Sequence, residues 1–382
     1  MEGTLLVLLL ILFMGLVVPE LFRKLRLPFV TSLILVGAFF GPHGMALIEV
    51  NETVEFFGFL GLTFLMFMAG LETRVDQIQN AAGRVIFMAL VNGGVPAVAG
   101  FFVAQAYGYS FTASMIVAVI FTSSSIALII PSLKSAKLFK KADGQLIVSA
   151  VVFEDVMSLI LLGVLLQSYE PITTLPLYVY FTILIASVAA LKFLLPRISR
   201  TVMKRGFFSH AEHEDHLRFI IVLLMGALLF FDALGMHPIV GAFLLGLILS
   251  GAITTERLTT QLHTLGYGLF VPVFFFLIGT QMDLGVFFTI DGSMSFLIVI
   301  VLVSILTKLT SGYVAGRLAG IKKEHALMFG IASTTQLTTS LAASQAAFSL
   351  GIIDVPFLTS MVVLSIVTAV FSPIILKLLG HT

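Results

Sequence analysis

The sequence has no cysteine and no tryptophan, and only 11% of its 382 residues are charged. Without cysteine the chain can form no disulfide, no thiolate metal site and no thiol nucleophile. An average soluble domain carries about 25% charged residues, so this chain has too few of them to cover a surface in water. The formal net charge of +1 gives no electrostatic reason to expect a nucleic acid as a partner.

Apolar residues are what the sequence has in excess, since they make up 59% of the chain and raise its mean hydropathy to +1.11. They fall in long runs, and a helix needs about 20 apolar residues to cross a bilayer. We therefore predict an all-α integral membrane protein of about 13 transmembrane helices, with the lipid bilayer as its solvent. The predicted spans are 4–22, 28–41, 53–71, 82–107, 111–131, 143–168, 173–195, 217–234, 238–253, 262–280, 293–318, 323–349 and 354–379.

Positive charge is distributed unevenly between the two sides that these spans define. If the spans cross alternately, every one of the 21 Lys and Arg residues except Lys308 falls on the same side. Basic loops stay in the cytoplasm, so we expect a multi-pass protein of the cell (inner or plasma) membrane with its N-terminus outside and its C-terminus cytoplasmic. The basic stretch 196–216 is expected to be a linker between two halves.

A sequence repeat supports the division into two halves. The segment Pro28–Leu35 and the following Gly41 recur in the second half as Pro238–Leu245 and Gly251. The shift corresponds to an odd number of spans, so the second copy is expected to cross the membrane in the opposite direction. Inverted-topology repeats are typical of secondary transporters, whose sites lie near the midplane where interrupted helices meet.

Three ionisable residues lie inside predicted spans: Glu154 and Asp155 in one span, and Lys308 in another. A charge at bilayer depth costs at least ~2.5–3.5 kcal/mol on insertion scales, so such residues pair with one another or line a path for ions. Either a structural ion pair holds two helices together, or one acid pairs with Lys308 while the other faces a water-filled cavity. Neighbouring helix residues point about 100° apart, which favours the second interpretation.

A carboxylate that faces such a cavity can bind either a cation or a proton. Its oxygens are hard donors that suit a small cation such as Na+, and the same group can take up a proton instead. Competition between the cation and the proton for one carboxylate is sufficient for exchange, provided that the unloaded site cannot cross the membrane. The acidic pair is therefore the predicted site of ion and proton binding.

Two polar clusters interrupt apolar spans at positions that the repeat relates. Hydroxyl groups can bond back to the preceding turn of their own helix, which accounts for an isolated Ser or Thr. Two clusters at related depths instead favour two interrupted helices that cross beside the carboxylates. The first cluster is Thr122, Ser123, Ser124 and Ser125, and the second is Ser333, Thr334, Thr335 and Gln336.

Motifs of enzymatic chemistry are missing from the sequence. It has no Walker loop, no dinucleotide-binding glycine motif and no nucleophile elbow. Its eight His residues show no metal-ligand spacing. We therefore expect neither an enzyme nor an ATP-driven pump, and no cofactor. A membrane sensor that transports nothing is a further alternative, and the acids inside the spans argue against it.

Two motifs give the chain a family resemblance. Gly37–Gly44 reads GAFFGPHG and is similar to a GxxxGPxGL turn, and Phe64–Glu72 reads FLMFMAGLE and is similar to FLLFLxGLE. With the acidic pair and the lysine, these motifs resemble the monovalent cation:proton antiporter superfamily, especially its NapA-like and Kef-like branch among the sodium/hydrogen exchangers. The resemblance extends over essentially the whole chain.

The resemblance implies an NhaA-like fold, in which inverted-topology repeats contain two crossed, interrupted helices. It also implies an elevator motion, in which a core slides against a scaffold and exposes the site to each side of the membrane in turn. The implied arrangement is a single membrane transport domain over 1–382, with scaffold helices of a homodimer at 1–80 and 196–285, ion-binding core helices at 81–170 and 290–382, and a linker helix at 171–195.

The resemblance also implies roles for particular residues. Asp155 is the implied binding residue for Na+ and the proton, and Lys308 is an ion-pair partner. The other residues implied at the ion are Glu154, Thr122, Ser123 and Ser124, and the polar residues at the helix breaks are Ser125, Ser333, Thr334, Thr335 and Gln336.

Two positions depart from the family pattern. Where this chain has Glu154, electrogenic relatives carry Asp, electroneutral relatives Asn and Kef-type relatives Gln, so the stoichiometry stays open. Gln336 stands where many relatives carry an acid. Lys308 favours electrogenic exchange of H+ for Na+, with K+ or Li+ as alternative cations. The alternative function is that of a Kef-type potassium efflux channel or antiporter.

Overall fold

The computed structural model describes residues 2–22, 28–48, 50–73, 82–135, 138–169, 177–204, 213–250, 256–287 and 292–379. Within these ranges the chain is helical between short turns, and no strand is present. The apolar runs of the sequence therefore form helices, as predicted.

Sixteen α-helices lie within the described ranges. They are α1 (Glu2–Phe22), α2 (Phe29–Phe40), α3 (Glu52–Glu72), α4 (Ala82–Ala106), α5 (Phe111–Thr122), α6 (Ile126–Ser135), α7 (Ala142–Tyr169), α8 (Leu177–Lys204), α9 (His213–Ala233), α10 (Pro238–Leu249), α11 (Glu256–Leu265), α12 (Val271–Thr280), α13 (Gly292–Leu318), α14 (Lys323–Ser333), α15 (Thr338–Ser349) and α16 (Val355–Leu379). A π-helix (Gly266–Phe270) joins α11 to α12, and a 3-10 helix (Leu284–Phe287) follows α12.

Seven helical stretches in the described part of the chain are long and apolar enough to cross a membrane. They are Glu52–Glu72, Gly83–Ala106, Ala142–Tyr169, Asp215–Ala233, Arg257–Thr280, Ser293–Leu318 and Val355–Leu376. Shorter apolar helices lie at Thr4–Val18, Phe29–Phe40, Phe111–Thr122, Ile185–Leu195 and Pro238–Leu249. The described part of the chain is thus all-helical and contains helices suited to crossing a membrane, as predicted, while the number of crossings stays a prediction.

The stretch 196–216, expected as a linker, is largely helical. Helix α8 continues to Lys204 and α9 begins at His213, while 205–212 lies outside the described residues. An apolar run measures how far a helix passes through lipid, not where the helix ends. Lys and Arg have good helix propensity, so α8 continues beyond its apolar part.

The helices group into two compact units. One contains α1, α2, α4–α7 and α12–α16, and the other contains most of α3 together with α8–α11. In the first unit, glycine lets α2 approach α12, because a Cβ on Gly37 would lie 2.0 Å from the carbonyl oxygen of Phe276. In the second unit, α10 approaches α3 in the same way, because a Cβ on Gly246 would lie 2.1 Å from the carbonyl oxygen of Phe67.

Helix α13 is central to the first unit, where it packs against α4, α14 and α16. A buried apolar cluster from α4, α6, α7, α13, α14 and α16 surrounds these contacts. Helices α13 and α14 approach each other closely, because a Cβ on Gly312 would lie 2.7 Å from the Cα of Gly330. Side chains one turn from Gly312 therefore lie next to the end of α14.

Candidate functional site

Two helices of the first unit are interrupted where the sequence predicts polar breaks. Helix α5 ends at Thr122 and α6 begins at Ile126, while α14 ends at Ser333 and α15 begins at Thr338. The chain leaves the helical conformation at Ser123, whose φ and ψ are −76° and 161°. An interruption of this kind leaves backbone carbonyl and N–H groups without partners inside the helix, so they need other partners when buried.

The two interruptions supply partners to each other. The backbone N–H of Ser125 donates to the carbonyl oxygen of Thr335 at 2.7 Å, and the hydroxyl of Ser124 lies 3.0 Å from the carbonyl oxygen of Ser333. The hydroxyl oxygens of Ser123 and Ser340 are 3.2 Å apart. The breaks in the two halves of the chain therefore meet at one crossing.

Lys308 of α13 points its ammonium group at this crossing. Its Nζ donates to the carbonyl oxygen of Thr122 at 3.0 Å, to Oγ of Ser124 at 2.9 Å and to Oε2 of Glu154 at 3.0 Å. These three acceptors match the three hydrogens of the ammonium group. The side chains of Lys308 and Glu154 are both 0% exposed, so the ion pair is fully buried.

Glu154 of α7 uses both of its carboxylate oxygens. Oε2 lies 2.7 Å from the hydroxyl of Ser124 as well as accepting from Lys308. Oε1 accepts from Nδ2 of Asn92 on α4 at 2.8 Å. Three donors from three other segments of the chain therefore hold this carboxylate in one position.

Asp155 follows Glu154 on α7 and points elsewhere, as the angle between neighbouring helix residues requires. Its Oδ1 accepts from the hydroxyl of Thr339, in the first turn of α15, at 3.2 Å. The backbone N–H of Ser124 also interacts with its carboxylate. The Lys308 ammonium pairs with Glu154, so Asp155 is a second buried carboxylate, 4% exposed, without that ion pair.

The polarity of the interrupted helices matches the charges placed against them. A helix carries partial positive charge at its N-terminus and partial negative charge at its C-terminus. Asp155 contacts the starts of α6 and α15 through Ser124 and Thr339, whereas Lys308 contacts the last carbonyl of α5. The acid and the base each stabilise the helix ends of opposite sign.

Comparison with known proteins identifies the chain. The family described as "Sodium/hydrogen exchanger, transmembrane" matches residues 8–380. The chain belongs to this family. The match includes both interruptions, both acids and Lys308, and it makes this exchanger-family chain a multi-pass membrane protein.

Relatives of this exchanger-family chain carry related names. It is 29% identical over 365 residues to the "Probable Na(+)/H(+) antiporter 3" of Methanocaldococcus jannaschii, with 94% of this chain and 92% of the relative covered. It is 24% identical over 357 residues to the "Na(+)/H(+) antiporter" of Enterococcus hirae, with 93% and 92% covered. The solved structure of the sodium proton antiporter MjNhaP1 from Methanocaldococcus jannaschii is similar in fold, with a TM-score of 0.73, 16% identity, and 98% and 97% of the two chains covered.

The remaining polar residues predicted at the breaks of this exchanger-family chain differ in their surroundings. The hydroxyls of Thr122 and Thr334 bond back to Ala118 and Ile331 of their own helices. Gln336 lies between α14 and α15, and its backbone N–H donates to the hydroxyl of Thr368 at 3.2 Å. Buried side-chain atoms of Ser125, Thr335 and Gln336 have no hydrogen-bond partner among the described residues.

Three residues of the site were not predicted from the sequence: Asn92, Thr339 and Ser311. Asn92 is a buried amide in the middle of the run 82–107, and this isolated polar residue was the available signal. Its Oδ1 accepts from the hydroxyl of Ser311 at 3.1 Å, and Ser311 follows Lys308 by three residues on the same face of α13. Thr339 follows the predicted second cluster, and no pattern in the sequence distinguished it from Thr338.

Proposed function

We propose that this protein is a secondary active transporter that exchanges Na+ for H+ across the membrane, with Asp155 binding either ion in turn. The observation that carries the proposal is the buried Asp155 carboxylate beside a lysine that already pairs with Glu154. An unpaired charge is expensive inside a membrane, so Asp155 needs a proton or a cation whenever the site is closed to water. The names of the relatives support Na+ as that cation.

The same carboxylate explains why the two ions exchange rather than leak. Either H+ or Na+ neutralises Asp155, and the empty site keeps a negative charge that opposes its movement through the membrane. The Ser124 N–H and the Thr339 hydroxyl orient the carboxylate for both ligands. An oxygen ligand of this kind suits Na+.

We propose that transport proceeds by an elevator motion of the core helices at 81–170 and 290–382 against the scaffold helices at 1–80 and 196–285, with 171–195 as a linker helix and a homodimer as the assembly. The division into core and scaffold is defined by which helices are proposed to move together. The two compact units described above are defined by which helices contact each other, so the two divisions do not have the same boundaries. Both acids and Lys308 belong to the core, so the whole site would move together during such a motion.

We further propose about 13 crossings, obtained by counting α5 with α6, α11 with α12, and α14 with α15 as one crossing each. The two halves are proposed as inverted repeats. The contact between Ser124 and Ser333, 209 residues apart at equivalent breaks, supports this relation. The positive-inside rule supports an outer N-terminus and a cytoplasmic C-terminus.

K+ and Li+ are proposed as alternative cations for the same site. A Kef-type potassium efflux function is not favoured, because the first relatives described above are named Na+/H+ antiporters and position 154 carries Glu rather than Gln. The resemblance and Lys308 favour electrogenic exchange, which a dependence of transport on membrane potential would reveal.

The test is exchange by the purified protein in proteoliposomes that contain a pH-sensitive dye. Addition of Na+ to vesicles with an acid interior is expected to move protons, and Asp155→Asn is expected to reduce this movement to background. Li+, K+ and Rb+ are compared in the same assay, with and without an imposed membrane potential.

The matched control is Asp215→Asn, which makes the same chemical change at a surface ion pair with Arg218 on α9. This variant is expected to exchange like the wild type. Undiminished exchange by a folded Asp155→Asn protein would contradict the proposal. A wild-type protein that moves no protons with any of the four cations would contradict it as well.

A further inference from the structure

Asn92 of α4 joins three other helices through one side-chain amide. Its Nδ2 donates to Oε1 of Glu154 on α7 at 2.8 Å. Its Oδ1 lies 3.1 Å from the hydroxyl of Ser311 on α13 and 3.3 Å from the hydroxyl of Ser333 on α14. All four residues are buried, so water does not compete for these hydrogen bonds.

The neighbours of Asn92 define which way its amide points. In the opposite orientation the amide oxygen would lie against the Glu154 carboxylate, which would place one acceptor against another. With the observed orientation, Nδ2 is directed at the acid and Oδ1 faces the two hydroxyls, of which that of Ser333 also lies 3.0 Å from the Gly330 carbonyl oxygen. The amide is therefore a donor fixed in place for one carboxylate oxygen.

Both carboxylate oxygens of Glu154 have hydrogen-bond partners, and these side chains differ from the one that contacts Asp155. Asn92 holds Oε1, while Ser124 and Lys308 hold Oε2. Asp155 contacts none of these side chains in the described hydrogen bonds and instead accepts from the hydroxyl of Thr339 on α15. The two adjacent acids thus have separate partners.

Side-chain length explains why position 154 carries glutamate. The carboxylate has to reach Lys308 on α13 and Asn92 on α4 at the same time. Aspartate is shorter by one methylene, about 1.5 Å, and cannot keep both contacts from the same backbone position. The length of the Glu154 side chain is therefore linked to its contact with Asn92.

We propose that Asn92 is a positioning residue that assigns different roles to the two adjacent acids. It holds Glu154 as the fixed counter-ion of Lys308 and so leaves Asp155 as the one carboxylate that binds the transported cation. The inference rests on the proposed Na+/H+ exchange and deepens it, because it names what keeps the second acid out of the ion site.

A double-mutant cycle tests this assignment. Asn92→Leu removes the donor at nearly constant volume, and Glu154→Asp withdraws the acceptor. Each single variant is expected to raise the KM for Na+ about tenfold, as the loss of a hydrogen bond to a charged group does. Because Asn92 acts through Glu154, the double variant is expected to match the larger single effect, whereas independent residues would multiply to about 100-fold.

Asn51→Leu is the matched control, since Asn51 is an exposed amide that donates to Thr4 and caps α3 by accepting from the Val54 N–H, both outside the site. Thermal melting in detergent checks folding, and Asn92→Ser replaces Asn92→Leu in the cycle if the larger side chain is not accommodated. Multiplied effects, or an unchanged KM in either single variant, would overturn the role of Asn92 while leaving Na+/H+ exchange in place. A wild type without Na+-dependent proton movement would overturn both.

Discussion

Replacement of Lys308 by methionine tests whether the buried ion pair governs the stability of the site. Methionine has a similar length but no charge, so Lys308→Met leaves the Glu154 carboxylate buried without its cation and the Thr122 carbonyl without its donor. Removal of one member of a buried pair costs about 3–5 kcal/mol. We expect the free energy of unfolding to fall by that amount.

Removal of both charges is expected to restore much of the loss. In Lys308→Met with Glu154→Gln, the neutral amide can still accept from Asn92 through its oxygen, and no charge remains unpaired. The double variant should be more stable than Lys308→Met by about 2–4 kcal/mol. Lys192→Met, at an exposed position of α8, is the control and should change stability by no more than about 0.5 kcal/mol.

Unfolding in mixed micelles of increasing denaturing detergent measures these free energies. A Lys308→Met protein as stable as the wild type would show that the buried ion pair does not stabilise the site. The same holds if the double variant loses the sum of the losses measured for Lys308→Met and Glu154→Gln alone, because the two charges would then not compensate each other.

Two further substitutions test the crossing and the packing beneath it. Ser124→Ala removes a hydroxyl that contacts Lys308, Glu154 and the Ser333 carbonyl, so exchange in proteoliposomes should fall at least about tenfold. Ser125→Ala is the control, because the Ser125 hydroxyl has no partner in the described residues, and its exchange rate should stay within about twofold of the wild type. Equal effects of the two would contradict the site geometry. Gly312→Ala places a Cβ 2.7 Å from the Gly330 Cα and should cost about 1–3 kcal/mol in the same unfolding assay, whereas Gly226→Ala meets nothing within 4 Å and should not destabilise.

The helices and their interruptions could be predicted because their causes are local. An apolar run long enough for a bilayer is legible from the sequence, and so is a cluster of hydroxyl residues that competes with helical hydrogen bonds. The run 323–349 accordingly contains the interruption between Ser333 and Thr338. The continuation of α8 to Lys204 could not be predicted in this way, since hydropathy does not mark where a helix ends outside lipid.

The assignment of partners within the site could not be predicted, because it depends on how helices pack. Adjacent acids on one helix gave two candidates for Lys308, and the sequence contains no rule for choosing between them. The choice of Glu154 depends on Asn92 from a third helix, 62 residues earlier in the chain. The approach of α13 to α14 at Gly312 likewise sets which side chains meet.

The separation of Glu154 and Lys308 along the chain has a consequence for synthesis in the cell. The two residues are 154 positions apart, and at about 5–20 residues per second a ribosome needs about 8–30 s between them. For that time α7 exists with its acid but without the base that neutralises it. The same holds for the break at Ser124, whose partner carbonyl at Ser333 is made 209 residues later. The first half of this protein is therefore synthesised before α13 and α14 can supply the partners of Glu154 and Ser124.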